Sequence, residues 1–410
     1  MAIEQLMERV GCEKWPARWN TLYEDVRSDF VKNGCPYLTP AFFDETAEKY
    51  GVFEKRLALY KEAAARVAER KELALFFHLL CRALENRETA YEETLSAKLP
   101  KSKEGEPDLA LDMLEGLAIF SEIPYCYGVL KKIGLPEDYI RATLRRIEYG
   151  VEDYESRNGT PGYALLYWNQ LIIDGKLFRV GRLELELCNT CYAGVSVFEN
   201  QKGARRALVD GVRMHKDGYT HGIIFYEEEE GAWDANIEET ETAYIGYEPD
   251  GTGHVPHTPV TLPKSEWHRI LSPDDKVVSI HIPADGRLDD EAVKATYPEM
   301  VKFLKTYFPD FDYKAFYCAS WLLDPTLEDL LGENANIARF GRGFRHRFIA
   351  RDTGYGVFHF AFRVKGKPGV DYPFDELPET TRLFKAVKEH YKGGRGIYAV
   401  SGVFFPDELP

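Results

Sequence analysis

Nowhere in its 410 residues does the chain run apolar for the roughly 20 positions that a membrane-crossing helix needs, which argues against an integral membrane protein. Its first ten residues already hold Glu4 and Glu8, a start that predicts no secretory signal. Cysteine is scarce, scattered and odd in number, seven in all, so no complete disulfide framework is expected and the chain reads as cytoplasmic with reduced thiols. Positive charge is in deficit: 52 Lys and Arg face 67 Asp and Glu, a formal net charge of -15. Such a surface repels a phosphate backbone, so nucleic acid is not an expected partner. It suits a cationic or amine substrate, although acidic solvated surfaces are common. There is no internal repeat, and the acidic run from Glu227 to Glu230 is the one low-complexity stretch.

What is present divides in two. From Thr39 to about Ser156 the pattern is helical: Thr39 with Pro40 opens a helix, and Phe53, Leu57, Tyr60, Ala64 and Val67 follow the spacing of one buried face. Leu75, Leu79 and Ala83 continue such a face, and Pro136 begins a further helix. Asn158-Gly159-Thr160-Pro161-Gly162 is breaker chemistry, which places a boundary at residue 160. The expected organisation is an extension over residues 1–38, a helical domain over 39–160, and a second domain over 161–410. In the latter, Arg182 to Leu187 alternates apolar and polar residues as a half-buried strand does. Further strands are expected at Tyr192–Phe198, Gly222–Tyr226, Thr242–Tyr247, around Phe348, at Tyr355–Val364 and at Gly396–Phe405.

The segment from Lys276 to Asp324 carries the most information. Val277 to Ile282 is a β-branched run that Pro283 stops. Ala284 to Leu288 is a short connection, Asp289 or Asp290 caps a helix, and Ala315 to Cys318 returns as a strand. Asp324 is placed to cap the helix that follows.

Four strings in this half resemble the GNAT-like C-terminal domain of N-acyltransferase superfamily proteins. They are Phe178-Arg179-Val180-Gly181-Arg182-Leu183-Glu184-Leu185-Glu186, Ser279-Ile280-His281-Ile282-Pro283-Ala284, Cys318-Ala319-Ser320-Trp321-Leu322-Leu323-Asp324-Pro325 and Asn336-Ile337-Ala338-Arg339-Phe340. The helical first half resembles that family's N-terminal domain. The resemblance implies an α+β protein, a helical N-terminal domain followed by a GNAT-like mixed β-sheet flanked by helices. It implies transfer of an acyl group from acyl-coenzyme A, acetyl or longer, to a small amine. The strand through Ile280 and Ile282 would receive the pantetheine arm, and Ala284, Gly286 and Arg287 would meet the phosphates. Only Gly286 and Arg287 remain of the usual glycine-rich phosphate loop.

The residues themselves suggest roles in such chemistry. Glu184 and Glu186 share one strand face, and either is a candidate base for the amine proton; a solvent-facing pair is the alternative. His281 stands two residues from Ser279 and is a candidate proton relay, or a structural histidine. The resemblance places Cys318 and Ser320 close to where a leaving thiolate would emerge, Ser320 to protonate it and Cys318 as an acyl carrier or a buried thiol. Arg339, Arg342, Arg345 and Arg347 with His346 form the densest basic patch, suited to phosphates. Cys188-x-x-Cys191 lacks a second pair, and His254 with His257 and His281 would need further ligands to hold a metal. Two other functions therefore stand beside the acyltransferase: a non-catalytic binding protein on a degenerate GNAT scaffold, and a metal-dependent hydrolase. The helical domain is expected to cover the cleft, to contact the acceptor, or to pair two copies as a homodimer.

Overall fold

A computed structural model describes residues 1–348, 355–364, 368–371 and 373–410, and divides them into two compact units, Met1–Arg179 and Val180–Pro410. The first is helical. Its central helix, Lys71–Leu84, buries nearly every residue from Leu73 to Leu84, as a helix that is apolar all round must. Thr39 caps the helix Pro40–Tyr50 by accepting from the Phe42 amide, as its sequence position predicts. Residues 1–38 belong to the same core: the helices Ile3–Val10 and Arg18–Asn33 bury Leu6, Met7, Trp19 and Tyr23. Arg18 and the Trp19 indole both bond the Glu93 carboxylate, at 2.6 and 2.9 Å. The change of composition at residue 160 precedes the end of this unit by one helix, Leu166–Ile173.

The second unit is built on a mixed sheet. Five of its six strands lie wholly in this unit: β1 (Leu183–Cys188), β2 (Val277–His281), β3 (Ala315–Ser320), β4 (His346–Phe348) and β5 (Val400–Phe404). Their order is β1-β2-β3-β5-β4. Among these five strands only β2 and β3 run parallel, and a parallel pair needs a crossover; the helix Asp290–Tyr307 supplies it. The insertion between β1 and β2 carries its own three-stranded sheet, ordered Trp267–Leu271, Val195–Asn200, Arg205–Val209. Its Val195, Val197 and Val209 form one apolar core with Cys188, Val277, Ala315, Tyr317 and Val403 of the main sheet. One face of that sheet is thus covered by the insertion. The other faces the crossover helix, whose Tyr297 meets Phe404 edge-on at 5.5 Å.

Two expected strands are absent among the described residues. Phe358–Phe362 is a helical turn, because Phe358 and Phe362 are both buried in one cluster with Leu327 and Tyr391, and four residues of helix bring two rings to one side. At Gly222–Tyr226 the chain turns instead of extending, with φ of +87° at Gly222 and +72° at Phe225. The last strand is confined to Val400–Phe404, and the strand expected from Tyr192 begins only at Val195, after Gly194 at φ +72°.

Candidate active site

The parallel ladder between β2 and β3 is short. It pairs Val277 with Ala315, Val278 with Phe316 and Ser279 with Tyr317, and stops there. Both strands continue on their outer neighbours, β2 as far as the His281–Glu184 pair and β3 as far as the Ser320–Val400 pair. The two strands therefore part after Ser279 and Tyr317. Backbone edges that face each other without ladder bonds need other partners, and here Ile280 and His281 face Cys318 to Ser320 across the opening.

Strand alternation sorts the candidate residues around this opening. Cys188, Glu186 and Glu184 of β1 stand opposite Val277, Ser279 and His281 of β2, on the face that looks toward the insertion. His281 Nε2 lies 2.8 Å from Glu186 Oε2, and both side chains keep about a quarter of their surface exposed. This is a carboxylate-oriented imidazole, in which the carboxylate fixes the ring's tautomer and orientation. Glu184 is buried, 2% exposed, so the two glutamates differ in setting although they share a face. Tyr317 shares that face as well and bonds Ser401, and burial pushes its phenol above the ordinary range.

Cys318 goes the other way. It lies fully buried on the face toward Tyr297, and burial alone pushes its thiol far above the ordinary range. A thiol held protonated is a poor nucleophile, so the structure does not bring it to the His281 pair. Ser320 ends β3, where its Oγ accepts from the Leu322 amide at 3.2 Å and caps a short turn.

Beyond His281 the chain leaves the sheet through Pro283 and a loop to Asp289, which caps the crossover helix by accepting from the Ala292 amide. Ile280 is buried and Ile282 half-buried, whereas Ala284, Gly286 and Arg287 are exposed. The loop is held from inside by Arg182. Its guanidinium donates to the carbonyls of Arg287 at 2.8 Å, Pro283 at 2.9 Å and Gly286. The Arg182 amide in turn donates to Thr296 Oγ1 at 2.9 Å, so β1 and the crossover helix clamp the loop together. With these carbonyls drawn inward, the amides of Ala284, Gly286 and Arg287 have no protein acceptor among the described residues. Exposed amides without an intramolecular acceptor are available to bond solvent or an anion.

Arg339 reaches this helix start, 3.3 Å from Asp290, and Lys294 shares the same carboxylate. Lys294 and Arg339 hold Asp290 below its ordinary range. The Asp290 carboxylate is thus partly neutralised. Arg342 is directed elsewhere, to Glu328 at 2.8 Å and to the Glu333 carbonyl at 2.7 Å. His346 faces Glu408, and burial lowers both its affinity for a proton and that of Arg347.

The three histidines considered as metal ligands go to separate partners: His254 to Asp250 at 3.1 Å, His257 stacked on Trp233 at 4.0 Å, and His281 to Glu186. Among the described residues no three metal-ligating side chains converge. Cys188 and Cys191 both lie in the apolar core, where burial raises Cys191 to about 11. No described helix is long and apolar enough to cross a membrane. Arg182 and Tyr317 border this region and were passed over by sequence reasoning; the Arg182 string was visible, but a guanidinium's carbonyl partners a hundred residues away are not.

Comparison with known proteins agrees with this geometry. A family model described as the GNAT-like C-terminal domain matches residues 177–404. No curated protein matches the chain significantly. Among solved structures, an acyltransferase mutant in complex with octanoyl-CoA superposes with a TM-score of 0.61 at 16% identity, covering 100% of both chains. An acyltransferase in complex with decanoyl-CoA and teicoplanin gives 0.60 at 17%, again over 100% of both. An acyltransferase with CoA and 10C-teicoplanin gives 0.60 at 16% with the same coverage. At these identities the likeness is one of fold.

Proposed function

The chain belongs to the family of the GNAT-like C-terminal domain, and from that premise we propose that it is an acyl-CoA-dependent acyltransferase whose acceptor is a small amine. The observation that carries the reading is the parting of β2 from β3 after Ser279 and Tyr317, with the His281–Glu186 pair beside it. An opening between parallel strands admits a narrow thioester arm and offers it backbone groups. An N–H there, aimed at the thioester carbonyl, stabilises the developing oxyanion by about 3 kcal/mol. The exposed amides of Ala284, Gly286 and Arg287, with Arg339 on Asp290 at the start of the next helix, are the groups proposed to meet the phosphates.

In the reaction the amine nitrogen bonds to the acyl carbon and the carbon–sulfur bond breaks. The thioester supplies the activated acyl group; the chain's residues manage protons and charge. His281 accepts the amine proton, and Glu186 holds the ring in place. The departing thiolate takes a proton through the Ser320 hydroxyl at the end of β3, which regains one from solvent as His281 returns the amine proton to solvent.

The fold relatives were crystallised with octanoyl- and decanoyl-CoA, which makes medium-chain thioesters the first to try. Isothermal titration with free CoA, acetyl-CoA, octanoyl-CoA and decanoyl-CoA tests the reading. Micromolar binding of at least one thioester is expected. Binding of none would sink it and leave a non-catalytic scaffold in its place.

A further inference from the structure

A cavity of about 30 Å³, partly open to solvent, lies beyond the end of β3. Its wall includes Val400, the ladder partner of Ser320, and Asp324, which follows the turn after β3. By the measure that gives one water about 10–15 Å³, it holds two waters or one compact headgroup.

Its chemistry is lopsided. Asp324 is 5% exposed, and its two oxygens accept from the amides of Thr326 at 2.9 Å and Tyr398 at 2.8 Å. A carboxylate offers about four acceptor positions, so it retains capacity for more donors. Thr220 is 8% exposed, and its buried hydroxyl has no partner among the described residues. Tyr398 gives its hydroxyl to the Ile224 carbonyl at 3.0 Å and so presents its ring, and Tyr219 is held as a second aromatic wall by stacking on Tyr226 at 4.3 Å. The turn that carries Ile224 includes Phe225 at φ +72°, a conformation that costs a bulky residue energy and is retained. Acceptor oxygens beside aromatic side chains complement a compact cation that donates hydrogen bonds. Arg347 lies within electrostatic reach of Asp324, yet burial still pushes that carboxyl above its ordinary range.

We propose that this cavity is a recognition subsite for a compact primary ammonium group, with Asp324 as its counter-ion and Thr220 accepting one of its N–H bonds. The acceptor class follows, and this step rests on the acyltransferase reading above. A nitrogen held as an ammonium has no lone pair with which to attack, so the group in the cavity is not the nitrogen that is acylated. The acceptor carries a second amine: one nitrogen is neutral beside His281, and the other is charged beside Asp324. A net charge of -15 favours the approach of such a dication.

Two measurements on the full chain test this. In the first, ligand-observed NMR compares propylammonium with 1-propanol on the wild type, Asp324→Asn and Thr220→Val. Propylammonium should bind the wild type at least tenfold more tightly than propanol. Asp324→Asn should erase the difference, and the isosteric Thr220→Val should reduce it about threefold without disturbing the fold. Equal binding of the two probes, an unaffected Asp324→Asn, or a soaked crystal with water alone in the cavity would overturn the subsite. In the second, decanoyl-CoA turnover compares α,ω-diamines of three to eight carbons with the matching monoamines, the span from His281 to Asp324 deciding which diamine fits. The wild type should favour that diamine at least tenfold in kcat/KM, and both variants should bring the ratio toward one while thioester affinity stays within twofold. A protein that discriminates propylammonium from propanol but binds no thioester keeps the subsite and loses the acyltransferase reading. One that binds thioester but treats the probes alike does the reverse.

Discussion

His281 Nε2 sits 2.8 Å from Glu186 Oε2, a diagonal contact between neighbouring antiparallel strands at the place where the parallel ladder ends. The pair makes separable demands on the two residues. Replacement of His281 by Ala removes the proton acceptor, and a general base contributes about 10²–10⁴-fold to turnover. Glu186→Gln keeps the shape and loses the charge, so it should lower kcat about 10- to 100-fold and leave KM for the thioester within twofold. Steady-state kinetics on both variants, with titration of octanoyl-CoA, separates chemistry from binding. A large rise in thioester KM with unchanged kcat would assign the pair to binding instead.

Arg182 is expected to matter for affinity. Arg182→Met leaves three inward carbonyls without their donor and lets the loop from Pro283 to Asp289 relax. Loss of such charge-assisted bonds costs about 2–3 kcal/mol of stability, and acyl-CoA binding should weaken about tenfold. Urea denaturation and calorimetric titration read the two effects. Unchanged thioester affinity in a folded variant would contradict the assignment of phosphates to this loop.

Cys318 provides the opposite test. Buried against the crossover helix with its thiol pushed far up, it should resist iodoacetamide at neutral pH. Cys318→Ala should keep turnover within about threefold and lose about 1–2 kcal/mol of stability from the small cavity. An acylated Cys318 peptide trapped during turnover would replace the direct route with a covalent one.

Gly181 cannot bear a side chain. Its φ is +52°, and a Cβ there would stand 2.4 Å from Thr296 Oγ1, the atom that receives the Arg182 amide. Gly181→Ala should cost about 2–4 kcal/mol through strain and the lost Thr296 bond, with thioester affinity falling alongside. Thermal denaturation with titration shows whether the two losses travel together.

In the helical unit the Glu93 site predicts a pH dependence. Burial opposes ionisation of Glu93, but the Arg18 guanidinium and the Trp19 indole overcome it and hold the carboxyl below its ordinary value of 4.5. Its folded pKa is depressed, so its stabilisation is complete above about pH 4.5 and disappears as pH falls through the lower, folded value. Glu93→Gln leaves Arg18 partly buried and uncompensated, which should cost about 2–3 kcal/mol at pH 7. The difference from wild type should shrink in urea titrations below pH 4.5. A difference independent of pH would show packing, and not charge, to be responsible.

The sequence was most readable where local rules and tertiary structure agree. The β-branched run from Val277, the stop at Pro283 and the Asp289 cap each depend on a few neighbouring residues, and all three are found. Phe358 to Phe362 was misread because alternating aromatics satisfy a strand's period, while the core that receives Phe358 and Phe362 asks for a helical turn. The direction of Cys318 became clear only once β3 had a partner register. Arg182 was read as one polar position in a strand, since nothing local links it to carbonyls 101, 104 and 105 residues away. Asp324 was legible as a cap, but its cavity exists only because Thr220, Gly253 and Tyr398 arrive from distant segments.

The short ladder between β2 and β3 also sets how this protein should exchange its amide hydrogens. Protection in a sheet follows from ladder bonds, and three residue pairs secure these two strands to each other. Ile280 and Ala319 should therefore exchange faster than Val278 and Phe316, only a few residues away in the same two strands. A thioester seated between them would stabilise the folded state by mass action and slow that exchange, while Val278 and Phe316 would change least. The middle of the sheet, ordinarily the slowest part of such a domain, becomes the place where ligation is recorded in deuterium.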